Sequence, residues 1–331
     1  MQQSFPEIRK QFEKHLYANM YEKEPQNLYE PINYLLKLGG KRARPAMALM
    51  SHELFAPLNE DAFKIAMAIE VFHNFTLMHD DIIDDADARR AQQSVHVKYS
   101  TNTAILSGDG MMIEAYEFVA NLDQKELIPE LFSRFNRYAL GVCYGQQYDM
   151  DFEVRTDVTI DEYIEMIRLK TAVLLGCALS MAAITAGASK EDVEHLQKFG
   201  ENVGIAFQLQ DDLLDTFGDA KTFGKRIGGD ILQNKKSYLY LKAFELADEE
   251  QKQTLMELYN PDNVPKSLEE EEFKISTVKA SFQKLVVQEY ATQLMEAYNH
   301  LGISQLEAVS VSEGAKKPLR DLCDLLMNRN S

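Results

Sequence analysis

Cysteine is scarce in this chain: Cys143, Cys177 and Cys323 lie far apart with no paired spacing, which excludes a disulfide framework and a cysteine-built zinc cluster. The compartment expected from that usage is a reducing cytoplasm. Proline is missing altogether between Pro129 and Pro261, so nothing in the central stretch forbids long helices. Positive charge is outweighed, with 35 basic against 52 acidic residues and a formal net charge of -17. Such a surface repels nucleic acid and anionic lipid, so a phosphate-bearing ligand has to be held by local cations or bound metal. The first residues, Met1 to Pro6, are soon followed by Glu7, Arg9 and Lys10 and lack the apolar core of an export signal. No low-complexity tail, long linker or repeat of short fixed period is visible. The uncharged run from Thr171 to Ser189 is nearly long enough to span a membrane, but Gly, Ser, Thr and Ala dilute its apolarity. It reads as a buried core helix, and no membrane span is expected.

At 331 residues, 45% hydrophobic and 26% charged, the chain has the profile of a soluble globular protein, with room for one large helical domain or two ordinary ones. No alternation of apolar and polar residues flanked by paired turn signals supports a sheet, so the fold class is all-α. From Val278 onward Phe282, Leu285, Val286, Tyr290, Leu294, Met295 and Tyr298 recur at three- and four-residue steps, one face of a helix. The clearest loops are Phe152 to Thr159, Gly218 to Gly229 and Asn260 to Glu272, with Glu269 to Glu272 read as a solvated helix start.

Two aspartate-rich segments stand out. Within Phe72 to Arg90, a helix places Asp80, Asp81 and Asp84 inside one turn, with His73 and Leu77 deeper along it. Within Phe207 to Asp215, Gln208, Asp211, Asp212 and Asp215 follow the spacing i, i+3, i+4, i+7, a polar stripe on an otherwise apolar helix. Carboxylates crowded in this way repel one another unless cations neutralise them, and hard oxygen donors without cysteine select magnesium or calcium. One such stripe alone reads equally well as a solvated acidic face. A calcium loop is excluded, because Ile83 stands where a ligand is needed and the required glycine is absent. Cations lie at Lys41, Arg42 and Arg44 beside Gly39-Gly40, at Arg89-Arg90, at Lys170 beside Thr171, and at Lys225 within Gly224 to Asp230. None forms a phosphate-binding P-loop, and each alone is an ordinary surface feature. His73, amid Val71, Phe72 and Phe75, is taken alone an ordinary core histidine.

Together these segments resemble the trans-prenyltransferase, or polyprenyl synthetase, family, in which farnesyl, geranylgeranyl and longer prenyl diphosphates are made. The resemblance runs in order through Gly39 to Pro45, the first aspartate motif with Arg89-Arg90, Gly108-Asp109, Lys170-Thr171, Phe207 to Asp215 and Gly224 to Lys236. It implies one polyprenyl synthetase domain over residues 1–331, a helical bundle of the isoprenoid synthase type with a central active-site cavity. It implies about three magnesium ions, held by Asp80, Asp84, Asp211 and Asp215 with support from Asp81 and Asp212. Isopentenyl diphosphate falls to Lys41, Arg44, His73 and Arg90. The allylic diphosphate falls to Arg89, Lys170, Thr171, Gln208 and Lys225, with Lys235 helping to close the site. The catalytic set on this reading is Asp80, Asp81, Asp84, Arg89, Lys170, Asp211, Asp212 and Lys225, and a homodimer is implied. Where the family continues after Arg89-Arg90 with Gly, a variable residue and Pro-Thr, this chain has Ala91-Gln92-Gln93-Ser94.

Phe75 and Thr76 precede Asp80 by five and four residues, hence lie about 6 to 7.5 Å deeper along a helix. With Phe72 one turn lower they are the expected chain-length positions. One aromatic and no insertion resembles a geranylgeranyl-type synthase, with a farnesyl diphosphate synthase as runner-up. A class I terpene cyclase carries a different second metal motif, and a noncatalytic partner subunit should have lost part of the motifs. Asp211, Asp212 and Asp215 with Lys41 and Arg44 favour the synthase.

Overall fold

Helices make up nearly all the regular structure of the computed structural model, which describes residues 2–218, 227–260 and 263–327. The all-α expectation holds. The only sheet among the described residues is a two-residue hairpin, Ala88–Arg89 against Gln92–Gln93. The chain divides into two compact units, Met1–Arg137 with Leu174–Gln197 and Glu307–Arg320, and Tyr138–Val173 with Lys198–Leu306 and Asp321–Ser331.

The first unit contains α1 (Phe5–Ala18), α2 (Gln26–Lys37), α3 (Ala43–Glu53), α4 (Glu60–Ile83), α5 (Val95–Lys98) and α6 (Thr101–Ala120). No Gly or Pro interrupts α4, and the Asn59 side chain caps it by accepting from the Ala62 N–H at 2.9 Å. Its buried residues run round the whole circumference, as in a helix at the centre of a core. Ala66, Ile69, Val71 and Phe72 are all at most 1% exposed, and each fully buried large apolar side chain contributes about 1.5–3 kcal/mol. Helix α6 lies so close that a Cβ on Gly108 would sit 2.5 Å from the ring of His79, which would have to move to admit it. Helix α4 ends at Ile83 with Asp84 as its C-cap, and Asp85 turns the chain with φ 48°. The departing segment after Arg89-Arg90 is the hairpin turn. Arg90 and Ala91 both have positive φ, at 54° and 60°, which matches the strand twist at a steric cost for Ala91 that glycine would not bear.

Helix α7 (Ile128–Val154) divides between the units, and the second unit continues with α8 (Ile160–Ile167) and a five-residue π-helical stretch, Arg168–Ala172. Helix α9 (Val173–Thr185) belongs almost wholly to the first unit, and α10 (Lys190–Phe217) divides between the units at Lys198. The run Ile160–Thr185 is long and apolar enough to cross a membrane, but 72% of its apolar window is buried inside the protein, as the core-helix reading requires. The loop placed at Phe152 to Thr159 begins later than expected, because α7 continues through Val154. Most of the Gly218 to Gly229 loop lies outside the described residues. Glu269 to Glu271 do fall in the first turn of a helix, Leu268–Lys284.

The periodic run from Val278 is not one helix. It breaks between Lys284 and Val287, with Val286 in the left-handed region at φ 50°. That residue rotates the buried face by one position. After Phe282 the chain buries Val287 and Ala291, while Val286 and Tyr290 face solvent at 49% and 39% exposure.

Candidate active site

In the first unit, Asp80 and Asp84 stack on the last turn of α4, the Asp84 N–H donating to the Asp80 carbonyl at 2.9 Å. Both side chains are partly exposed. Asp81 is different. It is 2% exposed and both its oxygens accept from Arg89, at 2.7 Å from Nε and 2.6 Å from Nη2. A helix turns roughly 100° per residue, so Asp80 and Asp84 fall roughly 40° apart while Asp81 points elsewhere. The expected group of three thus resolves into a partly exposed pair and a buried anchor for the hairpin that carries Arg89 and Arg90.

Around His73 the chain concentrates cations. The Arg90 guanidinium donates to the Gly39 carbonyl, and a Cβ on Gly40 would lie 2.8 Å from that guanidinium. The φ values of 79° and 133° at Gly39 and Gly40 are open to glycine and rare for other residues. Arg42, 3% exposed, is anchored by Glu70 and the Leu36 carbonyl, and Asn74 Nδ2 donates to the same Glu70 at 3.0 Å. It fixes the turn, leaving Lys41 and Arg44 on either side as the candidate ligands. Arg44 Nη1 lies 3.2 Å from His73 Nε2. Since guanidinium only donates, Nε2 accepts, which places the His73 proton on Nδ1. Burial, then Arg44, Arg90, Arg89 and Arg42, hold His73 well below the usual histidine range, so it is neutral at neutral pH.

The second unit gathers residues of α7, α8, the π-helical stretch, α10 and the segment after Asp230. A Cβ on Gly145 would lie 2.6 Å from the Lys170 Cα and 2.7 Å from the Leu169 carbonyl carbon, so α7 and the π-helical stretch meet backbone to backbone. Such widened turns recur at functional sites, and this one carries Lys170 and Thr171. Lys170 Nζ donates to Asp149 Oδ2 at 2.6 Å, and Lys235 Nζ lies 3.5 Å from the same oxygen. Burial pushes Asp149 up, but the two ammonium groups outweigh it and hold the carboxylate below its ordinary value. Thr171 Oγ1 donates to Gln208 Oε1 at 3.3 Å, and Gln208 Nε2 donates to Asp212 Oδ1 at 3.3 Å. The Tyr163 hydroxyl donates to the other Asp212 oxygen. Asp149, Lys170, Thr171, Gln208, Asp212 and Lys235 all line one cavity of about 90 Å³.

Asp215 accepts the Asp230 N–H at 3.1 Å and its carbonyl accepts the Gly228 N–H at 2.7 Å, so it caps the short helix Gly229–Leu232. Asp211 is partly exposed on α10. Burial, then the neighbouring Asp230 and Asp211, drive Asp212 well above the usual carboxylate range. An all-oxygen donor set under that repulsion fits a divalent cation. Among the described residues no three acidic, histidine or cysteine side chains converge as a ready cage. Magnesium usually takes one or two carboxylates, with waters and substrate phosphates filling the rest.

Lys225 lies outside the described residues. Phe72 is buried against Phe135, its ring 5.3 Å away; Phe75, 9% exposed, stands 5.3 Å from Phe72 and 4.9 Å from His79. Partly exposed Thr76 donates to the His73 carbonyl at 2.8 Å. Sequence reasoning missed Asp149 and Tyr163, which no spacing marks, and Asp230, although Gly228-Gly229-Asp230 sat inside a matched segment.

Residues 25–275 match the family model described as polyprenyl synthetase. The chain is 38% identical over 306 residues to the geranylgeranyl diphosphate synthase of Sulfolobus acidocaldarius, covering 91% of each chain. It is 34% identical over 305 residues to a short chain isoprenyl diphosphate synthase of Methanothermobacter thermautotrophicus, covering 92% of this chain and 91% of the other. A solved geranylgeranyl pyrophosphate synthase superposes with a TM-score of 0.93 at 44% identity, over 99% of this chain and 100% of that one. Fold and site together define an all-helical prenyltransferase, an enzyme class that works on prenyl diphosphates. The chain belongs to the polyprenyl synthetase family.

Proposed function

We propose that this enzyme condenses isopentenyl diphosphate head-to-tail with dimethylallyl, geranyl or farnesyl diphosphate, giving mainly geranylgeranyl diphosphate. The observation that carries the reading is the second unit's cavity. Lys170, Thr171, Gln208 and Lys235, assigned to the allylic side from separate stretches of sequence, all line it beside Asp212.

Asp80, Asp84, Asp211 and Asp215 are the proposed magnesium ligands, with about three ions, as the family resemblance implies. Bound magnesium neutralises diphosphate charge and so makes diphosphate a better leaving group. The chain's own residues do the rest. Lys170 and Lys235, now sharing Asp149, turn to the allylic diphosphate with Thr171 and Gln208, and Arg89 and Lys225 complete that set. As the carbon–oxygen bond breaks, these donors stabilise the charge growing on the diphosphate, and the allylic carbon becomes a delocalised cation. Neutral His73, Lys41, Arg44 and Arg90 hold isopentenyl diphosphate, whose double bond attacks that carbon. The departing diphosphate takes the proton lost at the end, so no side-chain base is required. Apolar walls keep water from quenching the cation.

The chain is proposed to act as a single domain in the cytoplasm, on small diphosphates and not on nucleic acid. A homodimer is proposed on the stripe Ile105, Leu106 and Ile113 of α6, which are 43%, 62% and 65% exposed. Sedimentation at micromolar concentration tests it, and a monomer refutes it.

Incubation with isopentenyl diphosphate, each allylic diphosphate and magnesium, followed by product-length analysis, tests the function. Twenty-carbon product is expected, and Asp80→Asn or Asp211→Asn should remove most turnover with the fold intact. No condensation product, or a folded variant of near-normal rate, overturns the reading.

A further inference from the structure

Tyr163 lies outside both aspartate motifs and all the cation clusters, yet its buried hydroxyl bonds directly to the second motif. It stands on α8, 3% exposed, and its hydroxyl donates to Asp212 Oδ2. Asp212, 4% exposed, uses its other oxygen for Gln208 Nε2, and Gln208 in turn accepts from Thr171. The side-chain amide of Gln208 has two chemically different ends, and this chain of bonds decides which way it points. Its NH₂ faces the carboxylate, so its carbonyl faces Thr171, and one N–H is left for a ligand. Removing the Tyr163 hydroxyl leaves Asp212 Oδ2 without that donor and frees the carboxylate to rotate away from Gln208.

Resting on the functional reading above, we infer that Tyr163 is a positioning residue of the allylic site: its hydroxyl holds Asp212, and through it Gln208 and Thr171, in the arrangement that receives diphosphate. Its ring lines the same cavity, but its hydroxyl is committed to Asp212. Its work is done before the ligand arrives, which lowers the cost of ordering those side chains on binding. Burial against Ile167, Leu209 and the rest of the second unit's core fixes the ring, so the hydroxyl has little freedom to follow a misplaced carboxylate.

The test is Tyr163→Phe, which removes one oxygen and keeps the ring. Calorimetric binding of inorganic diphosphate with magnesium should weaken about tenfold, a change worth about 1.4 kcal/mol. KM for the allylic substrate should rise similarly, while KM for isopentenyl diphosphate stays within about twofold. Unchanged diphosphate affinity overturns the inference. So does an equal loss for both substrates accompanied by a lower melting midpoint, since that marks a merely structural ring. A native chain that binds no magnesium diphosphate overturns the functional reading as well, so the two failures are distinguishable. Should Tyr163→Phe fail to fold, Asp212→Asn keeps the side-chain volume but has one acceptor oxygen in place of two, so the hydroxyl and Gln208 Nε2 can no longer each donate to an oxygen of their own. The same selective loss supports the positioning role, and unchanged affinity overturns it. In a folded double variant, Tyr163→Phe on Asp212→Asn should cost less than about twofold more. An undiminished tenfold loss there shows that the hydroxyl does not act through Asp212.

Discussion

Two glycines on α7 one turn apart make opposite predictions for the same substitution. Alanine in a helix interior is favoured over glycine by roughly 1 kcal/mol, because glycine loses more conformational entropy on folding. At Gly141 a Cβ would meet Leu169 Cδ2 at 3.5 Å and Val173 Cγ2 at 3.7 Å, ordinary contacts with flexible side chains. Gly141→Ala should therefore stabilise the protein by up to about 1 kcal/mol. At Gly145 the same methyl would lie 2.6 Å from the Lys170 Cα and 2.7 Å from the Leu169 carbonyl carbon. Those are backbone atoms, so no rotamer change relieves the clash, and overpacking of this kind costs roughly 1–3 kcal/mol or more. Taking the upper end and subtracting the propensity gain leaves Gly145→Ala about 2 kcal/mol less stable.

In a chain of this length 2 kcal/mol lowers the melting midpoint by about 3 °C. Urea unfolding of the native protein and both variants, followed by circular dichroism, measures the difference directly. The displacement falls on the π-helical stretch, so Gly145→Ala should also raise the allylic KM about tenfold and leave that for isopentenyl diphosphate alone. If Gly145→Ala is as stable as Gly141→Ala, the backbone contact is not what holds Lys170 and Thr171, and the reasoning fails.

Three further outcomes are open to measurement. Gly40→Ala should raise KM for isopentenyl diphosphate by about tenfold, because the new methyl strikes the Arg90 guanidinium at a residue with φ 133°; steady-state kinetics showing only an allylic effect would contradict it. His73 has its pKa depressed by folding, so below about 6.5 the unfolded chain binds a proton that the folded chain refuses, and stability falls as pH drops, by at most about 1.4 kcal/mol per unit. His73→Gln should flatten that part of the acid limb between pH 6.5 and 5.5 in urea midpoints, and an unchanged slope would refute the assignment. Phe75→Ala should lengthen the product beyond twenty carbons; unchanged length in an active variant, with the 3–5 kcal/mol loss typical of a core phenylalanine, would make it ordinary packing.

What sequence made legible here was local. Asp80 and Asp84, or Gln208 and Asp212, are four residues apart, and helical geometry alone puts such pairs on one face. The absence of Gly and Pro from α4 and the cap at Asn59 are likewise written in adjacent residues. Legibility failed where an interaction joins distant segments. Tyr163 and Asp212 are 49 residues apart, Arg42 and Glu70 28 apart, and neither pairing follows from a spacing. The basic run Lys41, Arg42, Arg44 reads as three equivalent cations until burial shows that the middle one is spent on Glu70. The break at Val286 had no signal at all, since a β-branched residue in the left-handed region is the opposite of what a helix stop predicts.

The same division runs through the aspartates. Six of them in two motifs look interchangeable as sequence, but three are engaged by the fold: Asp81 by Arg89, Asp212 by Tyr163 and Gln208, Asp215 by the backbone of Asp230. Asp80, Asp84 and Asp211 keep partly exposed side chains. A carboxylate whose oxygens already accept from fixed donors gives up those bonds to bind a cation. The anchored aspartates therefore serve by holding the hairpin, the Gln208 amide and the short helix in place. Asp80, Asp84 and Asp211 are the partly exposed members of the set, with Asp215, that the family resemblance proposes for magnesium.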